Sequence, residues 1–109
     1  MAYTTFANVK AIVDTDMTDP EITILINRTD VRIDLTIGTG GVNALLLEDL
    51  STSWTAYRVM LKDPNARGLG EYNERRDVTM RLLKEEVDDM LDLASGGGIA
   101  FTTASEALN

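Results

Sequence analysis

Between Val42 and Lys62 the chain carries neither glycine nor proline, and this uninterrupted stretch limits what the fold can be. Val42, Leu45, Leu46, Leu50, Trp54, Tyr57 and Leu61 recur mostly three or four residues apart. A helix of about five turns gathers them on one face. Asp63-Pro64 closes it, because the residue before a proline avoids the helical region.

Glycine and proline divide the rest of the chain into three further helical candidates and a tail. Phe6, Val9, Ile12 and Val13 form a short stripe from Thr5 to Val13, with Thr4 or Thr5 as its cap. So short a helix needs tertiary packing to hold it. Asp19-Pro20-Glu21 reads as a helix start: Asp19 as N-cap, Pro20 in the first turn, Glu21 at the positive end of the dipole. This helix should run to about Thr36 and stop at Gly38. Its second half is ambiguous. Ile22, Leu25, Ile26, Thr29 and Ile33 keep helical spacing, yet Val31–Ile37 alternates as a strand does and is rich in β-branched residues. Helix is preferred, since no turn residue interrupts the run before Gly38.

Gly38–Gly41 is a flexible connection and Asn65–Gly70 a loop. A fourth helix is expected from Tyr72 or Asn73 to about Ala94, with Met80, Leu83, Val87, Met90, Leu91 and Ala94 on its face. Gly96 stops it. The expected fold is thus an all-α bundle of three to four helices over residues 1–94, with a flexible, extended C-terminal tail over 95–109. Val9, Ile22, Leu25, Leu46, Leu50, Trp54, Tyr57, Leu83, Val87 and Leu91 are its expected core.

The length, 109 residues, fits one domain, and 44% apolar residues suffice for a modest core. No run approaches the ~20 apolar residues of a membrane span. Met1-Ala2-Tyr3-Thr4-Thr5 has no basic region or apolar stretch, so no export signal is expected, and a soluble protein made inside a cell is. Cysteine and histidine are both absent. That excludes disulfides, thiolate metal sites and a thiol nucleophile, and removes the commonest general base. The net charge is −8, from 18 acidic and 10 basic residues, the reverse of a free-standing nucleic-acid binder. Only Lys10, Lys62 and Lys84 are lysines, a bias that fits a salt-adapted host or chance sampling in a short chain.

Several clusters invite a chemical reading. Asp14, Asp16, Thr18 and Asp19 suggest a calcium loop, but Asp19 and Leu25 stand where that loop needs glycine and glutamate, so a loop with a helix cap is preferred. Glu85, Glu86, Asp88, Asp89 and Asp92 put carboxylates four apart on the fourth helix, as acid–base or magnesium chemistry would need. A solvated face, or one lining an acidic channel, is the plainer reading. Arg75, Arg76 and Arg81 form a basic cluster beside Glu71, Glu74 and Asp77: a salt-bridged surface, or a contact with an acidic neighbour. Neither Gly68-Leu69-Gly70 nor Gly38–Gly41 has the phosphate-loop pattern. Trp54 and Tyr57 are read as core rather than as a stacking platform. Ile99 and Phe101 alternate with small residues beyond Gly96–Gly98, so the tail can dock on a partner as a strand or in a groove; the alternative is a frayed end. No cofactor, metal or catalytic residue is expected.

The order of elements resembles the small head–tail connector (adaptor, head-completion) proteins of tailed viruses. The likeness lies in the opening Tyr3-Thr4-Thr5-Phe6-Ala7-Asn8-Val9-Lys10, in Asp19-Pro20-Glu21-Ile22 after an Asp-containing loop, and in the long helix with Leu45–Leu47, Trp54 and Tyr57. A last helix and a tail complete it, and it covers residues 3 to about 94. Many relatives carry a loop-and-strand stretch after the third helix, where this chain has only the brief Asn65–Gly70. The resemblance implies a virion protein at the head–tail interface, made in the host cytoplasm. It would form a homo-oligomeric, twelve-fold ring under the portal and extend the DNA channel. Duplex DNA would pass without specific binding, and a tail or stopper protein would dock below. Ile99, Phe101 and Thr102 would contact the portal, and Arg75, Arg76, Glu85, Asp88 and Asp89 would serve the subunit interface or the channel. The other classes are a small acidic interaction or DNA-accessory protein and a magnesium-dependent enzyme.

Overall fold

A computed structural model describes residues 2–38 and 41–95. Four α-helices appear among the described residues: α1 (Phe6–Lys10), α2 (Asp19–Ile37), α3 (Ala44–Lys62) and α4 (Arg76–Ala94). The all-α expectation holds, and Val31–Ile37 is helix, not strand. The residues expected to dock on a portal, Ile99, Phe101 and Thr102, lie outside the described residues.

Four boundaries differ from expectation, each for a local reason. The Thr18 hydroxyl accepts from the Glu21 amide at 3.3 Å, and the Glu21 carboxylate accepts from the Thr18 amide at 2.8 Å. This capping box makes Thr18 the cap, and Asp19 becomes the first helical residue, ion-paired to Lys10 at 2.5 Å. Asn43 caps α3 through its side-chain oxygen, 2.8 Å from the Leu45 amide, so α3 starts two residues after Val42. α1 ends at Lys10 because Val13 and Asp14 form a strand, β1 (Val13–Asp14), antiparallel to β2 (Arg67–Gly68). Asn65–Gly70 is therefore tied down rather than free. Tyr72 lies in a 3-10 turn (Gly70–Tyr72) ahead of α4, which starts at Arg76. Gly68 makes this corner possible, since a Cβ there would stand 2.0 Å from the Tyr72 carbonyl oxygen.

α3 is the central element, and α1, α2 and α4 all pack on it. Its buried residues accordingly run round the helix: Leu47, Leu50, Ser51, Ser53, Thr55, Ala56, Val59 and Met60. This corrects the single expected stripe. Leu46, Trp54 and Tyr57 are half-buried, as is Leu91 on α4, while Leu45 and Leu61 are exposed. One apolar stripe suits a helix with neighbours on one side; a helix enclosed by three neighbours buries small and polar residues too. The core falls into two clusters. Val9, Ile22, Ile26, Val59, Met60 and Leu83 anchor one, and Ile33, Leu47, Leu50 and Val87 the other.

Polar contacts fix how the helices sit. Asp30 is buried and accepts from the Ser51 hydroxyl at 2.6 Å and the Tyr3 amide at 2.9 Å, joining α2, α3 and the N-terminus. Arg76 donates to the carbonyls of Asp63 at 3.1 Å and Ala66 at 2.9 Å, and to that of Met60. These carbonyls lie at and just past the end of α3, where the helix has no partners of its own.

Candidate functional site

α4 presents an acidic exterior. Glu85, Asp88, Asp89 and Asp92 are all exposed along it. Asp88 pairs with Lys84 at 3.2 Å, and the exposed Arg75 pairs with Asp77 at 3.2 Å. Arg76 does not join them. Its guanidinium is held by backbone carbonyls within the subunit.

Beside this face lies a cleft of about 470 Å³, walled by α3, α4 and the 3-10 turn. Its lining includes Asp49, Glu71, Glu86 and Asp89, and no lysine or arginine. Glu86 is fixed by the Tyr72 hydroxyl at 2.6 Å and the Ser53 hydroxyl at 3.4 Å. Burial first, then the bond to Glu86, holds the Tyr72 hydroxyl well above the ordinary tyrosine range. Among the described residues no three carboxylates are grouped to hold a metal ion. Asp14 faces Arg67 at 3.5 Å and Asp19 faces Lys10, so the loop once compared with a calcium site is tied into ion pairs.

α2 presents the opposite chemistry. Ile24 is 55% exposed, Val31 56% and Leu35 82%. Arg28 stands between Ile24 and Val31 on the same side, and Arg32 is exposed one turn further on. Arg58 of α3 donates to Thr29 at 3.3 Å and so joins this side of α2. Burial, then the positive charges of Arg32 and Arg28, lowers the Arg58 pKa. Among the described residues no carboxylate pairs with any of these three arginines.

The reading of the sequence missed this surface. Its signal was present: Ile24, Val31 and Leu35 are seven and four apart, a second apolar stripe beside the one assigned to the core. Among the described residues no helix is long and apolar enough to cross a membrane. No family model matches the chain, and neither a curated protein nor a solved structure does.

Proposed function

We propose that this chain is a structural protein of a virion, a head–tail connector. It would form a ring beneath the portal, extend the DNA channel and join head to tail. The observation that carries the reading is the acidic flank formed by the cleft and α4, where Asp49, Glu71, Glu86 and Asp89 meet no basic residue in the cleft lining. Phosphates are repelled by such a wall, so duplex DNA can slide past without adhering. The element order described above supports the same reading. In this role the ring is twelve-fold, its upper partner is the portal, and its lower partner is a tail or stopper protein. Ile99, Phe101 and Thr102 would dock on the portal.

Electron microscopy of the full chain mixed with portal is the decisive test. A ring of this protein beneath the portal is expected, and truncation after Ala94 should abolish it while circular dichroism stays helical. Absence of any portal complex sinks the reading.

A second reading has its own observation. Arg28, Arg32 and Arg58 form a basic patch, as a DNA-accessory protein would need. A salt-sensitive gel shift at physiological ionic strength would favour that reading; no shift is expected, because the chain as a whole carries −8.

A further inference from the structure

We propose that the outward face of α2 is one half of a head-to-tail contact between copies of this chain, and that the outward face of α4 on the next copy is the other half. The proposal rests on the reading of the chain as an assembly protein and names the surfaces that assemble.

The spacing of the α2 face points to a helical partner. Ile24, Arg28, Val31 and Leu35 are four, three and four apart, the pattern that knobs-into-holes packing needs. Met17, Glu21 and Lys62 border the stripe at Ile24 and Arg28, whereas Val31 and Leu35 further along it are exposed. Exposing Leu35 and its companions forfeits burial of apolar surface, which a docked helix recovers.

Charge selects which helix docks. A two-fold contact of α2 with α2 would set Arg28, Arg32 and Arg58 against the same three arginines, and like charges across an interface oppose it. α4 is the complement. It has the same length of 19 residues, and Glu85 and Asp92 are exposed without a cation partner among the described residues. Leu93 is exposed next to Asp92 and supplies an apolar group. α2 and α4 lie on different sides of α3, so each copy can use both faces at once. A contact between unlike faces propagates from copy to copy, and it closes into a ring when its rotation divides a full turn. Glu86, held by Tyr72 and Ser53, remains with Asp49 and Glu71 for the cleft wall.

The absence of native cysteine makes a direct test available. Full-length V31C/L93C, oxidised at high concentration, should give a disulfide ladder of trimers and longer species, whereas V31C alone should stop at dimers. In sedimentation, R28E/R32E and E85K/D92K should each weaken self-association about tenfold or more. Mixing these two variants should restore it, because each altered face then meets its complement. All four positions are exposed, and unchanged circular dichroism would show that the variants fold. A missing ladder, a mixture that stays dissociated, or stronger association in R28E/R32E alone overturns the proposal. A portal-bound ring built equally well by R28E/R32E sinks this contact but leaves the connector reading. A V31C/L93C ladder without portal binding does the reverse.

Discussion

α2 and α4 are both 19 residues long and both pack an apolar face on α3, yet their outward faces differ. α4 is a conventional amphipathic helix: Leu83 and Val87 face inward, and Glu85, Asp88, Asp89 and Asp92 face water. α2 buries Thr29 and Asp30 beside Ile22, Leu25, Ile26 and Ile33, and exposes Ile24, Val31 and Leu35. Asp30 has its partners in Tyr3 and Ser51, but an isolated subunit gains nothing from an exposed leucine, which forgoes burial. The comparison teaches where to look for assembly. The helix whose exterior its own fold does not explain is the one to test for a partner.

The largest expected effect breaks the inward half of that contrast. Asp30→Ala should destabilise the subunit by about 3 kcal/mol in urea unfolding, since it leaves the buried Ser51 hydroxyl and the Tyr3 amide without their acceptor. An effect within 1 kcal/mol, in the range of a surface change, would show that the inward side of α2 does not depend on this polar contact. Arg76→Ala probes the matching polar anchor of α4. It should cost about 2 kcal/mol, because three carbonyls around the end of α3 lose a charged donor. Thermal unfolding measures it, and wild-type stability in that variant would instead return Arg76 to the surface role first assigned to it.

Acid should separate the two helices by their starts. The Thr18 backbone and side-chain hydrogen bonds hold the Glu21 carboxyl below the ordinary range, whereas Arg75 makes no side-chain cap for α4. Asp63 is likewise lowered, first by the Thr15 hydroxyl and then by the Asn65 amide. A carboxyl whose folded pKa is depressed contributes stability above its unfolded value, near 4, and loses it as pH falls through the folded value. Hydrogen exchange below about pH 4 should therefore open the first turn of α2 more than that of α4, and Glu21→Gln should remove the difference. The smallest effect on the fold belongs to the outward face. Leu35→Ser should change monomer stability by no more than about 0.5 kcal/mol, yet lower self-association in the same sedimentation assay. A large loss of monomer stability would mean that Leu35 serves the subunit itself.

Much of this fold was legible locally. Proline, glycine and the polar residues that precede each helix marked four helices to within a few residues, because capping and chain breaking are short-range effects. The ambiguity at Val31–Ile37 also has a local origin. Ile33 and Ile37 point inward while Val31 and Leu35 point outward, so two helical stripes interleave and imitate the alternation of a strand. The site was less legible. The carboxylates of α4 were visible as a cluster, but Asp49 and Glu71 join Glu86 and Asp89 only because the chain returns through β2 and the 3-10 turn.

Composition and spacing alone determined that this chain is helical, acidic and without cysteine or histidine. Tertiary structure decided the rest. Which face of α3 is buried depends on how many neighbours enclose it, and no period in the sequence of α3 records that number. Arg76 reads as a surface charge in sequence, yet it caps a helix 14 residues upstream, because a long donor reaches whatever carbonyls packing brings near. An arginine becomes uncompensated, or a leucine exposed, only when the rest of the molecule has taken its place. The unlike faces of α2 and α4 are therefore properties of the packed subunit, not of either segment by itself.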